Sequence, residues 1–313
     1  MLDKLTNCDE RQFKALTGVS RAAFNKLVVI FSKCYAEIVQ EKYEQNRAKR
    51  QRKPGAGQKG RLNTMEKKLF FILYYLKVYP TYDVLGYHFG LDRSKACTNV
   101  QQLLPVLLKT LDRLGVLPKR QFNNVAELQQ AFEGISELFI DATERPYHRP
   151  KDSQAQKEKF SGKKRQHTAK NSIISTTSRL ILFLGYTIFG SKHDYALFKT
   201  EFDPDQDWFK LFKLWVDLGY LGIAKDYEAL EINIPHKKPR KSKANPAPTL
   251  TDEQKEENRQ LSKVRVVVEH AIAGMKRFNI LVAKFRNRKD NFGDDVAVAA
   301  AGLHNLLLSL ATS

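Results

Sequence analysis

The order of hydrophobic patterns predicts an all-α N-terminal part followed by an α/β domain. Three observations carry that expectation. Up to Leu117 the apolar residues recur at helical spacing, whereas after Pro118 they fall into short runs such as LFID, NSIISTTS, LILFLGYTIFG and LKLWVDLGY. Acidic residues also stand inside three otherwise apolar runs: Asp141 in LFIDATERP, Asp217 in LWVDLGY and Glu269 in VRVVVEHAIAGMKR. An acid directly after three hydrophobic residues is costly unless it ends an element or holds a cation.

Residues 9–40 read as two helices, the second opened by Ser20 as N-cap with Phe24, Leu27, Val28 and Phe31 at helical spacing. From Lys42 to Arg61 the composition turns basic and includes Pro54, Gly55 and Gly57. That stretch reads as a flexible basic arm carrying Arg50, Arg52 and Lys53, and equally as a solvated loop. Thr64 opens a buried helix, MEKKLFFILYYLK; Tyr79-Pro80-Thr81 breaks it, and Thr81 caps the short helix YDVLGYHFG. After Leu91-Asp92 comes a longer helix, RSKACTNVQQLLPVLLKTL. Helix, short helix, turn and a polar-started helix is a helix-turn-helix pattern. Near the start of the last helix Arg93, Ser94, Lys95, Thr98, Asn99 and Gln102 are placed to read base edges. Small three-helix units without a ligand share this pattern. The expected organisation is therefore N-terminal helices and basic linker over 1–61, a helix-turn-helix domain over 62–117, and an α/β domain over 118–313.

Within the α/β part LFID is the first strand. NSIISTTS and LILFLGYTIFG form a hairpin turning at Ser178-Arg179, HDYALFKTEF is a short helix, and LKLWVDLGY holds the fourth strand. Residues 232–258 read as an inserted Pro-rich basic loop, 260–278 as a helix, and DDVAVAAAGLHNLLLSL as a closing helix. This is the element order of an RNase H-like core, in which the first and fourth strands lie side by side. Asp141 and Asp217 would then be neighbours, and a later helix crossing the sheet edge can deliver Glu269.

Composition narrows the partner. Among 313 residues, 53 Lys and Arg against 34 Asp and Glu leave a net charge of +19, with a pI near 9.7. Such an excess favours a polyanion, and nucleic acid over a membrane surface because no basic amphipathic helix stands alone. Three scattered cysteines without a CxxC pair argue against a disulfide framework or a zinc site. With no apolar signal core and no long hydrophobic span, the expected compartment is the cytoplasm. No GxxxxGK[ST] or GxGxxG loop is present, so nucleotide use is unsupported.

Three acids from separate segments suffice for a two-metal phosphodiester site, with Mg²⁺ or Mn²⁺ ions about 4 Å apart. Each acid also has a plain structural alternative. Asp141 and Asp217 suit turns, and Glu269 can pair across one helical turn with Arg265 on a solvated face that also includes Lys276. Arg265 and Lys276 are accessory candidates for the same reason. Asp194, after His193 in GSKHDY, is either a helix N-cap or part of the site, and Arg145 is a candidate phosphate contact. The cation-dense KEKFSGKKRQHTAK reads as a DNA-backbone contact or a mobile loop.

FIDATERPYHRP, GSKHD, VDLGY and RVVVEHAIAGMKRF, in this order, resemble the blocks of DDE transposases of the insertion-sequence-5 family, which are related to Harbinger-type transposases. The upstream block LFFILYYLKVYPTYDVLGYHFGLDRSKACTNVQQLLPVL resembles the helix-turn-helix that precedes the catalytic core there. The resemblance runs from about residue 12 to the C-terminus. It implies an RNase H-like core and two Mg²⁺ or Mn²⁺ ions held by Asp141, Asp217 and Glu269. It further implies double-stranded DNA as partner (terminal inverted repeats and target), a dimer or larger assembly on paired ends, and a nucleoid setting in a prokaryotic cytoplasm. The family often has Gly after its first Asp, where this chain has Ala142. A transposase-derived regulator without catalysis and a metal-dependent endonuclease are the alternatives.

Overall fold

The computed structural model describes residues 8–49, 60–243 and 245–311; Arg50, Arg52 and Lys53 of the expected basic arm lie outside them. The chain forms two compact units, one from residues 1–117 and 275–313, the other from 118–274.

The first unit opens with α1 (Glu10–Thr17) and α2 (Arg21–Gln45). Asp9 and Ser20 cap them, each accepting a backbone N–H three residues on. In α3 (Met65–Val78) every residue from Leu69 to Leu76 is buried. It is thus the central rod of the unit, apolar on all sides. Tyr79 closes α3 in the left-handed region at φ 53°. Thr81 then caps α4 (Tyr82–Phe89), and Asp92 caps α5 (Arg93–Arg113). The turn between α4 and α5 folds back so closely that a Cβ on Gly86 would lie 2.5 Å from the Leu91 carbonyl oxygen. Only glycine allows that approach. The buried stripe of α5 runs through Ala96, Val100, Leu103, Leu107 and Leu111.

The second unit begins with α6 (Val125–Ala131), capped by Asn124 and not foreseen from the sequence. Next come β1 (Glu137–Pro146), α7 (Ser153–Lys159), β2 (Phe160–Ser161), β3 (Gln166–Ser175), β4 (Ile181–Leu184) and β5 (Ile188–Phe189). Then follow α8 (Asp194–Glu201), β6 (Lys213–Trp215), α9 (Ile223–Asp226), β7 (Glu231–Asn233) and α10 (Asp252–Lys276). The mixed sheet has the order β2-β3-β1-β6-β7, with β4 and β5 also pairing with β3. β1 runs antiparallel to β3 and parallel to β6. One sheet face, with Leu138, Ile140, Ile174, Leu214 and Val216, packs on Phe198, Phe202, Phe209, Tyr220 and Tyr227.

Several boundaries depart from the sequence reading. β1 continues past Asp141 to Pro146 because its ladder with β3 extends to the Pro146–Thr168 pair. The cation-dense stretch is not a loop throughout: it contributes to α7, β2 and the start of β3. The expected insertion over 232–258 begins in β7 and, from Asp252, is already α10. Thr251 and Gln254 form a reciprocal capping box at 3.2 Å each way. Charged pairs such as Lys255–Asp252 and Arg259–Glu256 line the exposed turns that follow.

Finally α11 (Phe292–Ser309), buried from Val296 through Leu306, packs against α5 and completes the first unit. Asn305 donates to the Val116 carbonyl at 3.0 Å. The segment 275–313 therefore belongs with the N-terminal helices, whereas the sequence reading kept it with the sheet. Their complementary apolar stripes are the physical reason. Among the described residues no helix is long and apolar enough to cross a membrane.

Candidate active site and DNA-binding surface

Strand register places the two aspartates. Phe139 of β1 and Trp215 of β6 are Cα partners in a parallel pair, and their rings stack at 5.8 Å and 6°. Side chains two residues on along each strand return to the same face. Asp141 and Asp217 therefore stand side by side, about one strand spacing (~4.8 Å) apart at the backbone. Asp141 Oδ1 accepts the Ala142 N–H at 2.7 Å. Asp217 extends beyond β6, caps a short 3-10 turn and accepts the Gly219 N–H at 2.5 Å. A Cβ on Gly219 would lie 2.7 Å from the same oxygen, so the turn closes tightly on the carboxylate.

Burial, joined by the negative charges of Asp217 and Asp194, pushes the Asp141 carboxyl up to about 6, against the Ala142 hydrogen bond and the Arg265 guanidinium. Asp194 thus belongs to this cluster. It is not the N-cap, a position taken by His193 without a capping hydrogen bond; it is the first residue of α8. Its carboxylate is paired at 2.9 Å with Lys170, a side chain only 7% exposed that also donates to the Lys192 carbonyl. His193 itself is exposed.

Arg265 of α10 is half-buried, and its field reaches Asp141. Glu269, one helical turn on, is exposed. Among the described residues no group of three or more His, Cys, Asp or Glu side chains is arranged to hold a metal ion. The structure brings Asp141, Asp217 and Asp194 together and leaves Glu269 about 6 Å further along the helix axis from Arg265. Lys276 falls in the other compact unit. Arg145 is a correction. It is 2% exposed and donates to Asn171 Oδ1 at 2.6 Å and Thr187 Oγ1 at 2.9 Å. A phosphate contact needs an accessible guanidinium, and this one braces β1 against β3.

Sequence reasoning missed three neighbours of the acids. Lys170 carries a faint signal, as the last cation of the basic stretch KEKFSGKKRQHTAK, and it is buried within β3. Tyr220, fully buried, has its hydroxyl ionisation raised by burial and then by Asp141, Asp194, Asp217 and Glu201. Its Oη has no hydrogen-bond partner among the described residues. Glu201, at the end of α8, has both carboxyl oxygens sequestered without a well-formed hydrogen bond. Burial pushes it up to about 7, with Ser172 and Arg120 as the polar groups that oppose the rise. Tyr220 closes the VDLGY block, where only its Asp drew notice, and Glu201 sits in no motif; tertiary packing is what sets both beside the acids.

In the first unit Arg93, Ser94, Lys95, Thr98 and Gln102 are exposed at the start of α5, and Asn99 is half-buried. Asn99 donates to the Lys95 carbonyl at 2.8 Å, and Lys95 pairs with Asp92 at 3.0 Å. Arg93 stands 3.9 Å from Asp83. These ion pairs are solvated and weak, so the side chains are available to a polyanion.

The sheet thus sets two carboxylates side by side on one face, in a unit that follows the helices of the first. The family model described as DDE superfamily endonuclease matches residues 140–305, and that described as helix-turn-helix of DDE superfamily endonuclease matches residues 60–112. The chain belongs to the DDE superfamily endonucleases. It is 34% identical over 311 residues, 99% of either chain, to a probable transposase for insertion sequence element IS702 from Microchaete diplosiphon. No solved structure matches it.

Proposed function

We propose that this chain is a DNA transposase of the insertion-sequence-5 type, with an RNase H-like core, acting on the ends of its own element. The carrying observation is the placement of Asp141 and Asp217 side by side on one sheet face, within the field of Asp194 and Arg265. The sheet order, with the first long strand flanked by an antiparallel and a parallel neighbour, supports the RNase H-like reading. Near-total alignment with the IS702 protein supports the transposase reading.

The donor set is all oxygen, which suits Mg²⁺ or Mn²⁺. Asp141 and Asp217 fit as ligands because two adjacent carboxylates, one driven towards protonation, gain most from a divalent cation. Glu269, exposed on α10, would be the third donor. When bound, such ions lower the pKa of an attacking water or hydroxyl and stabilise the leaving oxygen. The chain's residues do the rest. Asp217 is held by the Gly219 N–H, Asp141 by the Ala142 N–H, and Lys170 pairs with Asp194 beside them. Arg265 supplies a cation beside the phosphodiester. Exposed side chains of α5 bind the inverted repeats, and two protomers hold paired ends.

The test is incubation of the protein with duplexes carrying candidate element ends and Mn²⁺, with and without chelator. Joined products support transposition; cutting alone points to an endonuclease, and binding alone to a regulator. Asp217→Asn is expected to abolish cleavage while binding persists. Metal-dependent nicking by that variant would overturn the assignment.

A further inference from the structure

We infer that the segment 284–289, distant in sequence from the helix-turn-helix, is a second DNA-contact element docked beside it, gripping the phosphate backbone of duplex DNA next to the start of α5. The inference rests on reading α4 and α5 as DNA-binding and extends that surface beyond the residues 60–112 matched by the helix-turn-helix family model.

The segment is nailed to the turn between α3 and α4. Phe285 is buried and stacks on Tyr79 at 6.3 Å and 12°. The Arg286 backbone N–H donates to Tyr79 Oη at 2.8 Å. Its guanidinium lies 4.1 Å over the Tyr79 ring and donates to the carbonyls of Tyr79 at 2.7 Å and Pro80 at 3.0 Å. Asn287 donates to Tyr82 Oη at 3.1 Å. An arginine that satisfies two backbone carbonyls and stacks on an aromatic face is a fixed strut. The strut fixes where its neighbours stand.

Those neighbours are Lys284, Arg288 and Lys289, all exposed. Arg286 and Asn287 line one cleft of about 300 Å³ together with Tyr82, Asp83 and Arg93. The basic segment and the first residue of α5 therefore share one surface. Asp83, Asp92 and Asp290 are the acids nearby; Asp83 lies 3.9 Å from Arg93, Asp92 pairs with Lys95 at 3.0 Å, and Asp290 follows Lys289. Cations outnumber them. A rigid basic strip alongside the polar start of α5 fits a duplex, in which phosphates flank the groove the helix would enter. Backbone contacts of this kind set register without reading bases.

The test uses the full chain, a fluorescein-labelled duplex of random sequence, and anisotropy across a salt series. Arg288→Ala with Lys289→Ala is expected to make the slope of log K against log salt shallower by about 1.8, from about 0.9 per lost phosphate contact. The Gln pair at the same positions should act alike. Lys26→Ala with Lys33→Ala, which removes the same charge from exposed sites on α2, should leave the slope unchanged. Circular dichroism melting shows whether each variant is folded. If Arg93→Ala with Lys95→Ala weakens binding while the 288/289 pair behaves as wild type, the inference falls and the helix-turn-helix reading stands. An equal loss from the α2 pair also overturns it, as a mere net-charge effect. No loss from the 93/95 pair removes the reading beneath it as well.

Discussion

Asp141→Asn should make the metal-free protein more stable at neutral pH while abolishing its cleavage of DNA. The Asp141 carboxyl stands at about 6 against an ordinary 3.8, a difference worth about 3 kcal/mol. The sign follows from linkage. A carboxyl raised in the folded state contributes its stability below pH 3.8, and that contribution drains away as pH climbs through about 6. At pH 7.5 the wild type therefore carries a buried charge that opposes folding, which asparagine, nearly isosteric and still able to accept the Ala142 N–H, does not. Urea denaturation in chelator should show the variant more stable by up to about 3 kcal/mol at pH 7.5 and little different at pH 4. Adding Mn²⁺ nearly closes the gap, because only the wild type gains binding energy, about 2.7 kcal/mol at a hundredfold excess over Kd. A variant no more stable than wild type in chelator, with the same pH profile, would refute the reasoning that this carboxylate is held under strain for a cation.

Three further outcomes follow from the same geometry. Glu201→Gln should flatten the loss of stability that the wild type shows between about pH 4.5 and 7, because Glu201 is raised to about 7 by burial; denaturant midpoints across pH measure it. Glu269→Gln, on an exposed face of α10, should leave the melting temperature within about a degree, since surface changes are worth less than ~0.5 kcal/mol, yet remove Mn²⁺-dependent nicking; a stable variant with full nicking would exclude Glu269 as a ligand. Arg145→Ala should cost about 3 kcal/mol, because it leaves the buried Asn171 carbonyl unpaired, and calorimetry of the variant checks this.

The starts of the N-terminal helices were legible almost to the residue, because their signals are local, whereas α2 runs to Gln45, five residues beyond the expected end. Ser20, Thr64, Thr81 and Asp92 announce helix starts by chemistry that acts over three residues. The capping box at Thr251 was equally present in the sequence, but the polar run after it has no apolar stripe, and α10 was read as starting eight residues late. Helix α6 is short and weakly periodic, and it too was missed.

The amino-acid order by itself determined that acids interrupt three apolar runs, that cations far exceed acids, and that a helix-turn-helix precedes a sheet. Those are properties of neighbouring residues and of sums. Which acids meet was decided only in three dimensions. Asp141 and Asp217 are 76 positions apart in the numbering, and parallel pairing of β1 with β6 sets them side by side. The same packing recruited Asp194 with Lys170, turned Arg145 inward as a brace, and set Arg286 against Tyr79. Contacts of that kind depend on strand register and on which apolar stripes find each other, and neither is written in any short stretch of chain.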